Sequence, residues 1–465
     1  MKKSDVCVIG GGPSGATIAL KLAQFGYSVV LIEKDHQPRS SIGLSLTPGI
    51  HHWLELLGIT EKINHADFSR AFTTHILWEN DQPLIKEFVA HKAGYHVDRA
   101  VFDEMLLQSA IVAGVKVLRP CNLHQLTQTE IGEWEITLTH PQANKATLLA
   151  KFLVEATGRK SIVKGTKKAY LPKTIAIYAY WQQTKTTDSI SFIEAGKDQW
   201  YWGAPVVQQG FMACIFSDPC AIKTASSVKA YYLENLKNAT LFNQNLFNNK
   251  LSDITACSAT PYVDNQPIAE NYIKVGDAAF SMDPLSSQGV QKAIKSAFQG
   301  AIVVNTLLAK KENCDSAMAF YSNMITTEVI KNTEWTKQFY NRQNRYNESQ
   351  FWEIRKDQSI KPYEEIKEDK ISINKWDILT INPKAVIKTI PIVGAYIIET
   401  VDAIILEEHQ EPFAFVRGIP IVELIKKMHN EQLMECVMVI KLYIPESNPM
   451  DVLKWLLYNK IMCKF

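Results

Sequence analysis

The chain has 465 residues, with 50 Lys+Arg against 48 Asp+Glu for a formal net charge of +2, and 46% of its residues are apolar. That length accommodates two or three domains with sizeable cores, and the charge balance argues against nucleic acid or an anionic membrane surface as partner. The eight cysteines are scattered with no C-x-x-C pair, which reads as buried free thiols of a reducing compartment and predicts no metal site. Only four apolar residues separate the opening Met-Lys-Lys from a glycine turn, too few for a secretory core, so a cytoplasmic protein is expected. The apolar segment from Ala385 to Leu406 carries Lys388, Pro391, Glu399 and Asp402, which excludes a clean membrane span.

The first element is a buried strand ending at Ile9, followed by the turn Gly10-Gly11-Gly12-Pro13-Ser14-Gly15, a helix from Ala16 to Phe25, and a second strand ending on Glu33. This is a βαβ unit with G-x-G-x-x-G. Gly10 makes the turn, Gly12 lets backbone approach a pyrophosphate, and Gly15 lets helix and strand pack closely. Pro13 and Ser14 lie in the turn, and the N-terminus of the helix that follows points at the phosphates. Glu33, 18 residues after Gly15, is placed to accept ribose hydroxyls, and either NAD or FAD meets these requirements.

A Pro- and Gly-punctuated loop, 38–49, contains Ser45 and precedes a helix closed by Gly58. Phe72 to Trp78 and Pro83 to His91 read as antiparallel strands around Asn80-Asp81. Asp98 then N-caps a helix to about Ala113, with Arg99 near its start able to reach a phosphate. After a strand at 115–118 comes an antiparallel excursion, 123–139, and a strand ending in Ala156-Thr157-Gly158, where Gly158 permits a second close approach. From Thr174 to Val263 short alternating segments, interrupted by a helix at 227–238, form an antiparallel sheet able to roof a cofactor, with Trp200 and Trp202 on one face. A last buried strand leads to Gly276-Asp277, where Asp277 can bond a polyol chain, and on through Asp283, Pro284 and Gly289 into a helix at 290–308. That helix N-terminus can stabilise negative charge.

Beyond Lys310 the composition shifts to an aromatic-rich helix, 317–345, a charged segment, 357–370, read as linker or surface helix, then strands and three short helices suggesting a winged-helix-like module. The expected fold class is α/β. A discontinuous Rossmann-like dinucleotide domain takes 1–71, 92–173 and 264–312, and an antiparallel substrate sheet takes 72–91 and 174–263. A helical extension and linker at 313–375 and an α+β module at 376–465 complete the chain.

The ordered motifs, from the Gly10 fingerprint with Glu33 through Asp98-Arg99, Ala156-Thr157-Gly158 and Gly276-Asp277 to Asp283-Pro284-Leu285-x-x-Gln288-Gly289, resemble those of FAD-dependent monooxygenases of the p-hydroxybenzoate hydroxylase and tryptophan halogenase group. The resemblance implies FAD held by Gly10, Gly12, Pro13, Ser14, Gly15, Glu33, Arg99, Gly158, Asp277 and Gly289, with Ser45 and Pro284 flanking the isoalloxazine. Trp200-x-Trp202-x-x-Pro205 is similar to the W-x-W-x-x-P signature of flavin halogenases. The comparable segment Phe72 to Trp78 lacks the halogenase lysine, Lys86 lying later, and Gly43-Leu44-Ser45 replaces Gly-Glu-Ser, so halogenation is disfavoured. Within the group the Gly43 to Leu57 stretch, the Phe351-Trp352 region and the appended C-terminal module are most similar to flavoproteins that mature tryptophylquinone-containing amine oxidases and dehydrogenases.

That likeness implies a monooxygenase using O2 and an external or NAD(P)H reductant to hydroxylate an indole in a precursor polypeptide. Candidate bases are His51, His75, His96 and Asp283, and Trp200 and Trp202 are candidate pocket walls. The rivals are a tryptophan halogenase, a reductase of isoprenoid or other hydrophobic chains, and a non-catalytic FAD-containing maturation chaperone.

Overall fold

The computed structural model describes residues 2–37, 42–89, 93–139, 145–182, 189–207, 209–241, 249–357, 359, 372–409 and 411–465. The start of the loop expected at 38–49, the end of the strand expected to reach His91, and nearly all of the charged segment expected at 357–370 lie outside the described residues. Two compact units emerge, one formed by 1–314 with 321–363, the other by 315–320 with 364–465.

The first unit is built on five parallel strands in the order Tyr272–Lys274, Ala146–Glu155, Lys2–Ile9, Val29–Ile32, Lys116–Leu118. Val6, Cys7 and Val8 are fully buried, as a strand covered on both faces requires. The helices Pro13–Gln24 and Gly289–Ala309 pack on the sheet, and Gly300 allows contact, since a Cβ there would sit 3.1 Å from Val275. The excursion Asn122–Gln128 and Trp134–Thr139 extends the sheet antiparallel, as expected. Because the five strands run the same way, the turns after Ile9, Ile32, Leu118, Glu155 and Lys274 all emerge along one edge. Ligands bind at that edge in open α/β sheets.

The second sheet has seven strands: Thr255–Ser258, Ile175–Trp181, Gly210–Ser217, Gln199–Val206, Ile190–Ala195, Thr73–Leu77 and Leu84–Glu87. Strand alternation sorts its residues onto two cores. Tyr201, Ile215 and Phe211 face the helix Val228–Leu236 and its Tyr232, whereas Trp200, Phe216 and Met212 face the opposite way. On that second side, Trp78, Tyr340, Phe351 and Trp352 share one aromatic core, so the end of the long helix Cys314–Asn341 and the short helix Gln350–Glu353 buttress the sheet. Trp78 Nε1 donates to Phe339 O at 2.9 Å and Trp352 Nε1 to Gly196 O at 3.0 Å.

In the second unit a small antiparallel sheet, Glu431–Gln432, Ile378–Ile381 and Met462–Lys464, and the hairpin Val386–Val393 with Ile398–Ile405 accompany three helices, Ile421–Met428, Leu433–Tyr443 and Pro449–Tyr458. Leu424, Ile425, Met428, Cys436, Leu453 and Leu456 form its core. Among the described residues no helix is long and apolar enough to cross a membrane, and no His/Cys/Asp/Glu cluster could hold a metal. All eight cysteines are free. Cys7, Cys121, Cys214 and Cys436 are buried, Cys257, Cys314 and Cys463 only partly so, and Cys220, on Pro219–Thr224, a helix without a buried residue, is exposed.

Lys274 and Asp264 form an ion pair of 2.9 Å with both side chains fully buried, and Lys274 Nζ also donates to Lys164 O at 2.9 Å. Removing one partner leaves a buried charge uncompensated. We therefore expect Lys274→Met to destabilise the protein by about 3–5 kcal/mol in urea denaturation, and the double change Lys274→Met with Asp264→Leu to cost less than the single one.

Candidate functional site

A cavity of about 780 Å³ opens along the carboxyl edge of the parallel sheet and continues beneath the seven-stranded one, which is antiparallel except where Ile190–Ala195 runs parallel to Thr73–Leu77. Every expected cofactor residue lines it except Gly15. Gly15 acts one layer back. A Cβ there would lie 1.9 Å from Gly10 O, so its role is the helix-to-strand contact. Gly10, at φ +108°, passes so close to the neighbouring strand end that a Cβ would stand 2.3 Å from Ala156 O. Gly12 and Gly158 are different. A Cβ on either meets nothing within 4 Å, which means that the backbone there faces open cavity.

Charges are distributed along the cavity. Glu33 accepts the Gly11 N–H at 2.6 Å and the Asp35 N–H at 2.9 Å, one on each oxygen, leaving further lone pairs for a ligand hydroxyl. Arg99 is gripped bidentately by Asp103, at 2.9 Å for both bonds, and donates to Ile42 O at 2.8 Å. Asp277 pairs with Lys292 at 2.6 Å and faces Arg159 Nε at 3.8 Å. Burial pulls the Asp277 carboxyl upward, but Lys292 and Arg159 outweigh it and hold the group below the usual range. Arg159 is itself fixed by bonds to Thr260 O and Ser281 Oγ.

Ser45 and Pro284 both line the cavity, as do Trp200 and Trp202. Trp200 stacks on Phe216 with ring centroids 3.8 Å apart and an interplanar angle of 10°. Tyr178 and Met212 complete an aromatic, uncharged surface at this end.

None of the four candidate bases is on the cavity wall. His51 Nε2 bonds to Ala93 O at 2.8 Å, and His75, on Thr73–Leu77, lies edge-on to Phe192. His96 is fully buried behind Ser45 and Trp202, pairing with Ser45 across the strands, its ring 6.3 Å from that of Trp202. Neither of its nitrogens has a hydrogen-bond partner among the described residues, and burial lowers it to about 4. Asp283 caps the turn Pro284–Ser286 through Leu285 N at 3.0 Å, and Tyr340 Oη reaches its carboxylate at 3.4 Å.

Arg119, Arg159 and Lys292 were not among the residues the motifs singled out. Arg119 lines the cavity near Glu33, held by Glu104 at 2.6 Å. It immediately follows Lys116–Leu118, and Arg159 follows the Ala156-Thr157-Gly158 turn, so strand-end position was an available signal for both. Lys292 carried no such signal.

These features fit FAD. Open glycine backbone and a helix N-terminus meet a diphosphate, Arg99 and Arg159 supply cations, and Glu33 and Asp277 supply acceptors at separate points for ribose and polyol hydroxyls.

Comparison with known proteins agrees. The tryptophan 2-halogenase of Chondromyces crocatus is 27% identical over 75% of this chain and 70% of its own length. LodB of Marinomonas mediterranea is 24% identical over 76% of this chain and 97% of its own. The structure of QhpG, described as a peptidyl tryptophan dihydroxylase essential for tryptophylquinone cofactor biogenesis, superposes with a TM-score of 0.74 at 20% identity, covering 98% of this chain and 99% of QhpG. Residues 3–311 match FAD_binding_3, the FAD binding domain family; the chain belongs to that family and is an FAD-dependent oxidoreductase of the monooxygenase and halogenase superfamily.

Proposed function

We propose that this enzyme is a monooxygenase that hydroxylates an indole, namely a tryptophan side chain of a partner polypeptide, during tryptophylquinone cofactor biogenesis. The observation that carries the reading is the aromatic, uncharged cavity end formed by Tyr178, Trp200, Trp202, Met212 and Phe216 next to Ser45 and Pro284. Such a surface receives an apolar ring and gives nothing to the ammonium and carboxylate of a free amino acid. The likeness to QhpG supports it because it spans nearly the whole of both chains. A halogenase reading is weaker. The strand Thr73–Leu77 carries no lysine, and Lys86 lies on Leu84–Glu87, whose residues are all exposed.

Bound FAD, reduced by an external or NAD(P)H donor, supplies the oxygen chemistry with O2. The chain's own residues orient the indole between Trp200 and Trp202, exclude water through the aromatic core behind them, and take up the proton released from the ring. Asp283 stands off the cavity wall, so it can take that proton only through an intervening water. Burial raises its carboxyl from 3.8 to about 6, close to neutral working pH, whereas His96 falls to about 4.

Co-expression with a candidate quinone-enzyme precursor, followed by mass spectrometry, should show oxygen added to tryptophan of the precursor. Chlorinated indole in the presence of chloride, or turnover of free small aromatics alone, would overturn the reading. For the cofactor, Gly12→Val should keep its fold, having no protein atom to strike, yet lose FAD affinity by at least about tenfold, or about 1.4 kcal/mol. Gly15→Leu should lose both, as judged by flavin absorbance and circular dichroism.

Asp283 also sets a pH dependence. Its folded form holds the proton more tightly than the unfolded chain, so its contribution to stability is full below about pH 4 and is lost as pH rises through about 6, a change on the order of 3 kcal/mol. Asp283→Asn, which can still cap Leu285, should abolish that decline. Equal pH slopes for the two proteins in chemical denaturation would contradict it.

A further inference from the structure

Lys292 lies three residues after Gly289, at the positive end of the helix Gly289–Ala309, where a cation is disfavoured by the helix dipole. Its side chain is only 3% exposed. Burying an ammonium costs several kcal/mol unless it is paired and hydrogen-bonded. Here both conditions are met: Nζ donates to Asp277 Oδ1 at 2.6 Å and to Phe280 O at 2.6 Å, and sits 4.7 Å above the Phe280 ring. Asp277 stands on the turn after the strand Tyr272–Lys274, and its side chain remains 36% exposed on the cavity wall. The turn is itself fixed, because a Cβ on Gly276, at φ +61°, would strike Ser14 Oγ at 2.6 Å.

We propose that Lys292 is a positioning residue that holds the Asp277 carboxylate in one orientation and in its ionised form, as the acceptor for hydroxyl groups of the FAD polyol chain. The bond uses one carboxylate oxygen and leaves lone pairs on both free for the ligand. An ionised acceptor forms hydrogen bonds roughly twice as strong as a neutral one, so the orientation and the charge both favour binding. The proposal depends on the FAD site and not on which substrate is hydroxylated.

The other charged or titratable groups acting on Asp277 are Arg159, Lys167, Arg99, Tyr262 and Tyr170. Tyr262 Oη donates to the Asp277 backbone carbonyl at 2.5 Å and not to the carboxylate, and Arg159 Nε lies 3.8 Å from the carboxylate, too long to fix a rotamer by hydrogen bonding. Without Lys292 the desolvation that pulls the carboxyl upward loses its principal opponent. Asp277 then takes up a proton more readily, and the acceptor weakens as the solution becomes more acidic.

The test is a titration of apoprotein with FAD, followed by quenching of flavin fluorescence, between about pH 5 and pH 8. Wild type should show no dependence attributable to this group. Lys292→Met should lose about tenfold or more in affinity on going from the higher to the lower pH, a change of about 1.4 kcal/mol. Lys292→Arg, which keeps the charge, should restore the flat profile, and Lys292→Met placed in an Asp277→Asn background should add no pH dependence. A flat profile for Lys292→Met, or a Lys292→Arg profile no better than that of Met, would overturn the proposal. Were Lys292→Met to misfold, the Arg variant and the Asp277→Asn pair would still decide it, since a structural role predicts no dependence on the carboxylate.

Discussion

The contact on which the rest of the structure depends is the meeting of three backbones at Gly10, Gly15 and Ala156, where no side chain fits between the first strand, the first helix and the neighbouring strand end. With that contact made, the helix N-terminus points into the cavity and the turns after all five parallel strands share one edge. Glu33, Arg119, Gly158 and Asp277 then fall into line without any further device, because each lies within three residues of the end of a strand whose direction is already set.

The antiparallel sheet solves a different problem. Both of its faces are apolar, one covered by the helix Val228–Leu236, the other turned toward the cavity and the aromatic core around Trp78 and Trp352. Alternation alone places Trp200 and Trp202 together on the inner side with Tyr201 on the outer. Tyr201 is consequently a structural residue, its hydroxyl bonded to Asn235 O at 3.0 Å, although it sits between two pocket residues in sequence.

Much of this was legible in the sequence because it is governed by local rules. The βαβ fingerprint, the Asp98 cap, which accepts Ala100 N at 2.8 Å, the hairpin around Asn80-Asp81, and the long helix after Gly289 each follow from periodicity and turn chemistry. What the pattern did not reveal were pairings made across the fold. Lys292 looks like one more lysine on a helix until the chain places it under Asp277. Tyr340 reads as part of an aromatic-rich helix, and only tertiary packing shows that it touches Asp283 and backs the pocket. Residue type nominates a candidate base but does not say which side of a wall its side chain occupies; all four stand off the cavity surface.

The bonds from Trp78 to Phe339 and from Trp352 to Gly196 join positions 261 and 156 residues apart. A ribosome releases the glycine turn and the whole antiparallel sheet well before it releases residue 352. The nascent chain can therefore complete the nucleotide-binding edge, whose last residues include Asp277 and Gly289, before the buttress that backs the aromatic wall is synthesised. Vectorial synthesis thus orders the two halves of the cavity in time, the cofactor's end being complete before the aromatic end has its backing.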